Sequence, residues 1–172
     1  MPESWTTRCT RWYINWAPAY RGTGGHLEYI AHDWTEVRVR LPLSWRTRNI
    51  VGTIFGGSLY GAIDPVYMLM LMHTLGPEFV VWDKAATIHF LKPARSTLWA
   101  TFQLTASRLS ELRSSAMAQG KSECHFDVEL ADRDGLVHAR CRKTLHVRWK
   151  AAGASPRDNV PPDAPPNRPG GT

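Results

Sequence analysis

The chain has 172 residues, of which 43% are hydrophobic, so it carries enough apolar surface for one folded domain and is not a globally disordered protein. Its formal net charge of +6 comes mainly from arginine. Three interpretations are open: the protein binds a phosphorylated cofactor, it binds nucleic acid, or the charge has no specific anionic partner. The most apolar run, residues 66–75, is about half as long as the ~20 residues that cross a bilayer. With no signal-peptide pattern at the start, these features predict a soluble, cytoplasmic protein without a membrane span.

Residues 1–26 predict a helical or irregular segment. Aromatic side chains between Trp5 and Tyr20 recur at close to helical i, i+4 spacing, and Pro18 followed by a glycine-rich stretch ends the pattern. A helix packed on the main core explains this spacing. A helix that lies on a membrane surface or covers a substrate is the alternative.

Residues 27–150 predict an antiparallel sheet of five or more strands with one long helix after the first strand. The strand segments, most of which alternate apolar and polar side chains, are residues 37–41, 79–91, 97–104, 123–130 and 137–148. Residues 56–75 are instead long, apolar and rich in Leu and Met, which favours helix. One sheet wrapped around one apolar helix accounts for this order, and this is the α+β arrangement called the hotdog fold.

Residues 151–172 are rich in proline and poor in large apolar side chains. Such a segment cannot bury enough surface to offset its ordering entropy, so a disordered tail is predicted after Lys150.

Asp64 is the one formally charged residue between Asn49 and Pro77, where His73 is the other titratable group. A buried and unpaired carboxylate is costly or has a raised pKa, and Pro65 disfavours helical geometry at Asp64. An acid held at such a cost indicates a catalytic role. The alternative is a carboxylate at a local kink, bonded to freed backbone groups or to an arginine across an interface.

The paired glycines Gly56 and Gly57 stand at the start of the predicted helix. Glycines let a ligand approach the backbone, and the unpaired amides and positive end of the helix dipole point towards it. This arrangement is suited to bind the carbonyl oxygen of a thioester during cleavage. A tight turn explains the glycine pair equally well.

The segment from Asn49 to Asp64 reads NIVGTIFGGSLYGAID. It resembles the motif N-x-x-G-T-x-H-G-G, followed by six residues and Asp, of hotdog thioesterases of the phenylacetate-pathway type. The chain also resembles an uncharacterised branch of that superfamily, usually labelled a domain of unknown function, in residues 41–43, 64–65 and 81–86. The resemblance extends over residues 12–150.

The resemblance implies that Asp64 is the general base or nucleophile and acts across a subunit interface. It also implies that the Gly57 amide polarises the thioester oxygen and that Asn49 orients the substrate or the water. Asp83 takes the position of a small polar residue that assists the water. Phe55 replaces the usual His and Asp83 replaces a commoner hydroxyl, and both departures bear on hydrolysis more than on the fold.

Basic residues flank both ends of the predicted site, where they would bind the phosphates of coenzyme A; solvated loop charges are the alternative. The predicted substrate-binding residues are Phe55, Gly56, Ser58, Arg46, Arg48, Lys92 and Arg95. No cofactor is predicted, because coenzyme A is part of the substrate, and no His or Cys spacing indicates a metal site. Acidic residues share the sheet faces that carry the arginines, which disfavours nucleic acid.

These features predict an acyl-CoA or acyl-carrier thioesterase that acts as a homodimer or a dimer of dimers, since a second copy would cover the exposed edge of a hotdog sheet. The alternative is a non-catalytic module that binds acyl thioesters without turnover. A dehydratase or hydratase of the same fold is disfavoured because the helix offers no catalytic His near Asp64.

Overall fold

The computed structural model describes residues 3–150, which form one antiparallel sheet and several helices. The helices are α1 (Trp5–Trp16), α2 (Pro18–Thr23), α3 (Gly56–Ile63), α4 (Val66–Leu75) and α5 (Ala106–Gln119). The strands are β1 (His26–Ile30), β2 (Glu36–Leu41), β3 (Phe79–Phe90), β4 (Leu98–Gln103), β5 (Lys121–Ala131) and β6 (Val137–Trp149). The predicted tail at 151–172 lies outside the described residues, and the proposed domain boundaries stay predictions. Among the described helices, none is both long enough and apolar enough to cross a membrane.

The six strands lie in the order β1-β2-β4-β5-β6-β3, so β1 and β3 are the two edges of the sheet. Helix α3 contacts β2 and α4 contacts β3, so the two helices together cross the sheet. Tyr67 of α4 stacks on Phe126 of β5 and packs edge-on against Phe102 of β4. A sheet packed around an apolar helical segment is the hotdog fold, and the α+β prediction is confirmed.

Alternation of side chains explains why the strands pack as they do. In β4, Leu98, Ala100 and Phe102 are buried while Thr101 and Gln103 are exposed, which gives one face to the core and one to water. The chain differs from the prediction in having two strands, β1 and β2, before the helical segment. They form an antiparallel hairpin, and the strand predicted at residues 37–41 corresponds to β2 alone.

The central helical segment is two helices and not one, because it is interrupted at Asp64 and Pro65. Proline has no backbone N–H to continue the helical hydrogen bonding. Asp64 nevertheless keeps helical dihedral angles (φ −53°, ψ −54°), and its amide donates to the Tyr60 carbonyl at 3.0 Å. The prediction that Pro65 moves Asp64 out of helical geometry is therefore wrong: the interruption falls just after Asp64, which remains the end of α3.

Helix α1 packs on the edge strand β1, but not through its aromatic side chains. Its inward contacts are largely polar: the Asn15 side chain donates to the Leu27 carbonyl at 2.9 Å and accepts from the Leu27 amide at 2.8 Å. Trp12 and Trp16 face outward and are well exposed. The helix packs on the core side of β1 through Ile14 and Asn15, and the aromatic side chains of Trp12 and Trp16 are not part of this contact.

Candidate functional site

Asp64 lies in a cluster of charges that crosses the core from α3 to the sheet. Its Oδ1 accepts a hydrogen bond from Nζ of Lys143 on β6 at 2.5 Å. Asp83 of β3 presents Oδ1 at 2.9 Å from the same Nζ, and the Tyr60 hydroxyl lies 3.4 Å from it. Lys143 is fully buried, whereas the Asp64 side chain keeps 40% of its surface exposed. Asp64, Asp83 and Lys143 are called the charge cluster below.

The register of β6 explains how a lysine reaches this depth. Cys141, Lys143, Leu145 and Val147 occupy alternate positions of β6, and all four are fully buried. Alternate residues of a strand share a face, so Lys143 occupies a place in the apolar inner row. A β-bulge between Asp83 and Ala85 shifts the β3–β6 pairing in the same region. The sequence analysis missed Lys143, although a lysine in an otherwise apolar inward row was the signal that identifies it.

The electrostatics of the cluster favour a charged lysine. Burial acts to lower the pKa of Lys143, but its bonds to Asp64 and Asp83 outweigh burial and raise that pKa to about 12. Burial raises the pKa of Asp83, and the neighbouring Lys143 only partly opposes it. One cation thus faces two carboxylates, of which Asp64 makes the shorter contact and Asp83 carries the burial penalty.

A groove of about 420 Å³ lies at the other end of α3. It is lined by Asn49, Gly56, Lys92 and Arg95 from the predicted site, together with apolar residues that include Leu59 and Phe90. Helix α3 begins at Gly56 with no side-chain cap, and no hydrogen-bond partner for the Gly57 amide is found within residues 3–150. The groove therefore combines a free helix start with two cationic side chains at its rim.

Asn49 serves the loop that precedes α3. Its side-chain oxygen accepts from the amides of Val51 and Thr53, at 3.1 and 3.0 Å, and its side-chain nitrogen donates to the Thr53 hydroxyl at 2.8 Å. These bonds shape the wall of the groove, so the side chain holds the loop rather than pointing freely at a substrate.

Phe55 covers Gly57. A Cβ atom at position 57 would lie 2.3 Å from the Phe55 ring, so only glycine allows the ring to take this position. The Phe55 side chain is itself 58% exposed. The residue that replaces the family's His is thus an exposed aromatic lid over the glycine whose amide is the predicted oxyanion donor.

The remaining predicted residues are dispersed. Ser58 is buried in α3 and Arg48 is exposed next to the groove loop. Arg46 lies in a different groove, between α1 and the loop after β2, where it donates to the Arg21 carbonyl at 3.5 Å. The two ends of the predicted CoA-binding set therefore do not meet within one chain.

Gly57 and Asp64 are separated along the same helix. Seven residues of helix correspond to about 10 Å, against the ~3–3.5 Å of a reacting contact. Asp64 also lines none of the grooves described for this chain. Within one chain, the charge cluster and the helix-start groove are consequently two places and not one site.

Known proteins resemble this chain over most of its length. A 24% identical protein of unknown function from Pseudomonas aeruginosa, called "Probable Thioesterase", superimposes with a TM-score of 0.74 over 87% of this chain and 98% of that one. The thioesterase HI1161 from Haemophilus influenzae is 14% identical, with a TM-score of 0.64 over 89% of this chain and 97% of that one. The PaaI protein from the phenylacetic acid degradation operon of E. coli is 19% identical, with a TM-score of 0.59 over 86% and 94%.

These likenesses show the hotdog fold that the resemblance in sequence implies. No curated protein matches the sequence. A family model does match, over residues 6–147, and it describes a domain of unknown function. Since that match spans nearly all of the described chain, the protein belongs to the DUF4442 family.

Proposed function

We propose that this protein hydrolyses acyl thioesters, with acyl-CoA or an acyl carrier as substrate and Asp64 as the general base or nucleophile. The observation that carries the proposal is the placement of Asp64: an acid at a helix break, held by a fully buried lysine, with 40% of its side chain still open to solvent. A carboxylate that is fixed on one side and accessible on the other can take a proton from an attacking water. In that step water adds to the carbonyl, the C–S bond breaks, and the proton returns to the departing thiolate.

The start of α3 supports the second role. The Gly57 amide lacks an acceptor within residues 3–150 and lies at the positive end of the helix. An amide in this position can donate to the thioester oxygen as negative charge develops on it. Phe55 lies over this glycine, so the substrate displaces or stacks on its ring when it binds.

The separation of about 10 Å between Gly57 and Asp64 along α3 points to a site built from two chains. β3 supports this inference because, among residues 3–150, it is an edge strand whose one partner is β6, and it exposes residues from Lys84 to Thr87. Edge strands of twelve residues are normally covered. A homodimer joined along β3 covers them and combines Asp64 of one copy with the helix start of the other; a dimer of dimers extends the same contact.

Lys92 and Arg95 give the helix-start groove its affinity for an anion. Both line the groove and both are exposed at its rim. Charge-assisted bonds from these side chains suit the phosphates of coenzyme A, while Leu59 and Phe90 offer an apolar wall for the acyl group. No separate cofactor is needed for this chemistry.

A hydrolysis screen tests the proposal. Release of free thiol from short, medium, long and aromatic acyl-CoAs is measured for the parent protein and for Asp64→Asn. The substitution is expected to lower the rate by about 10² or more, the scale of a lost general base. Asp134→Asn, in the exposed β5–β6 turn, is the matched control and is expected to keep the parent rate.

The second candidate is a module that binds acyl thioesters without turnover. The ion pair between Asp64 and Lys143 favours it, because one oxygen of the carboxylate is already engaged by a buried cation, as in a structural ion pair. Tight acyl-CoA binding with no thiol release by the parent protein, and unchanged binding by Asp64→Asn, would establish the module and reject the hydrolase.

A further inference from the structure

Helix α1 presents an aromatic and basic surface that the proposed hydrolysis does not use. Its outward side chains include Trp5 (76% exposed), Trp12 (64%), Tyr13 (72%) and Trp16 (55%). The Trp12 and Trp16 rings lie 5.9 Å apart, so they form a continuous patch. Large aromatic side chains clustered in water are uncommon and indicate an interaction surface. These four residues with Arg8 and Arg21 are called the α1 surface.

The large aromatic side chains of α1 face away from the sheet, unlike those of a helix that packs through its apolar face. Thr7 is its buried residue, Asn15 bonds both backbone groups of Leu27, and Arg11 pairs with Glu3 at 2.7 Å. Asn15 bonds to β1 and Ile14 packs against the core, so the contacts that hold α1 on the sheet leave the tryptophans outside the described core. The exposure of the tryptophans therefore follows from how α1 packs on β1.

Cations accompany the aromatic rings. The Arg8 guanidinium lies 5.8 Å from the Trp5 ring centroid, and that of Arg21 lies 4.8 Å from the ring of Trp16. α1 itself contains no acidic residue, and the nearby Glu3 is neutralised by Arg11. The α1 surface thus combines aromatic rings of the kind found at membrane interfaces with positive charges next to those rings.

A second groove continues this surface. It has a volume of about 480 Å³ and lies between α1 and the loop after β2, with Arg11, Trp12, Trp16, Arg21 and Arg46 among its lining residues. No carboxylate among residues 3–150 lines it. Beside it Trp45 is 87% exposed. A phosphate-bearing headgroup fits this combination of guanidinium groups and amphipathic rings.

We propose that the α1 surface docks the protein on an anionic lipid bilayer, with Trp5, Trp12 and Trp16 in the interfacial layer and Arg8 and Arg21 on the lipid phosphates. A second copy of the chain is the poorer occupant, because a twofold contact pairs the α1 surface with itself and this surface offers no unpaired acid to meet Arg8 and Arg21. The position also suits docking: α1 packs on β1, at the edge of the sheet opposite β3. Covering β3 with another chain leaves the α1 surface open.

Sedimentation of the full chain with vesicles tests this proposal. Vesicles of pure phosphatidylcholine are compared with vesicles of equal parts phosphatidylcholine and phosphatidylglycerol. The protein is expected to pellet with the anionic vesicles and to remain largely in solution with the neutral ones. High salt is expected to release it, since surface electrostatics are screened.

Two double variants identify the surface. Trp12→Ala with Trp16→Ala and Arg8→Glu with Arg21→Glu are each expected to lower vesicle affinity at least about tenfold, the arginine pair by lost attraction to the lipid charge. These side chains are exposed, so the variants keep the fold, which circular dichroism verifies. Leu136→Ala and Arg133→Glu, both exposed on the β5–β6 hairpin, are the matched controls and are expected to bind as the parent does.

Three outcomes would overturn the proposal. In the first, the parent protein stays in solution with both kinds of vesicle; in the second, the hairpin controls lose as much affinity as the α1 variants. In the third outcome, the tryptophan variant binds vesicles normally but loses a concentration-dependent self-association, which would assign the surface to a second copy. None of these readouts depends on thioester hydrolysis, so the two proposals fail or stand separately.

Discussion

Lys143 is a fully buried cation that serves two carboxylates. Such an arrangement contributes little net stability compared with an apolar residue of similar size, because desolvation opposes the attraction. Removing the lysine alone is different, since it leaves Asp64 and Asp83 close together without a counter-charge. The cluster is therefore sensitive at its centre, and the Lys143 contact fixes the position of the Asp64 carboxylate.

Lys143→Met is expected to lower the free energy of unfolding by about 3–5 kcal/mol at pH 7, the usual cost of breaking a buried ion pair from one side. Urea unfolding measures it. Arg140→Met is the matched control: Arg140 also pairs with a carboxylate, Glu129, but both side chains are exposed and neither lies on β3, so a loss below about 1 kcal/mol is expected. Equal losses of stability for the two variants would show that the buried ion pair contributes no more than an exposed one.

The loss in Lys143→Met is expected to depend on pH. Burial already raises the pKa of Asp83, and without the lysine this pKa rises further. A carboxyl whose pKa is higher in the folded protein binds a proton more tightly there, so protonation favours the folded state as the pH falls. The deficit of Lys143→Met relative to the parent should shrink between pH 7 and pH 5. A deficit that grows on acidification would contradict this.

At the scale of elements, α3 is held against the loop after α2 by very close contacts. A Cβ atom on Gly25 would lie 2.7 Å from the Ala62 Cβ and 3.0 Å from the Ala62 Cα. The Tyr20 hydroxyl donates to the carbonyl of the same alanine at 3.0 Å. This contact positions the last turn of α3, directly before Asp64, in the helix whose first turn carries the Gly57 amide.

Gly25→Ala is expected to destabilise the protein by about 1–3 kcal/mol, because backbone and helix must separate to admit a methyl group. Thermal and urea unfolding measure the change. Gly22→Ala is the matched control, since nothing lies within 4 Å of a Cβ there and the residue is in α2, where alanine is the better helix former. Destabilisation by Gly22→Ala as large as that by Gly25→Ala would show that the close approach to Ala62 is not the cause.

At the scale of the whole molecule, the edge strand β3 decides whether the two halves of the proposed site can meet. Within one chain the helix-start groove and the charge cluster lie at opposite ends of α3. A second chain along β3 is the arrangement that covers the exposed strand and offers a new neighbour to Asp64. On the proposed function, assembly and hydrolysis are therefore expected to depend on each other.

Ala86→Glu is expected to convert a dimer into a monomer and to abolish hydrolysis, because it places a charge on the exposed part of β3. Light scattering gives the mass and thiol release gives the rate. Thr101→Glu adds the same charge at an exposed position of the internal strand β4 and is expected to change neither. A monomeric Ala86→Glu that retains the parent rate would reject the two-chain site while leaving a one-chain hydrolase possible.

The fold class, most of the strands and several of the candidate residues could be predicted from the sequence alone. Period-two alternation in segments such as 98–103 and 137–149 records which side chains face the core, so the strands were recognisable. The apolar segment after Gly57 and the single acid at Asp64 were equally visible. Such patterns are local, because each residue's face follows from its neighbours a few positions away.

Which residues those side chains contact depends on the tertiary structure. Lys143 and Asp64 are 79 residues apart, and their contact depends on β6 lying beneath the end of α3. The same holds for α1, whose contacts through Ile14 and Asn15 leave the tryptophans facing outward. Periodicity specifies a side chain's direction but not its partner. A buried counter-charge, or a helix whose aromatic side chains face outward, arises from long-range packing, which a local sequence pattern does not specify.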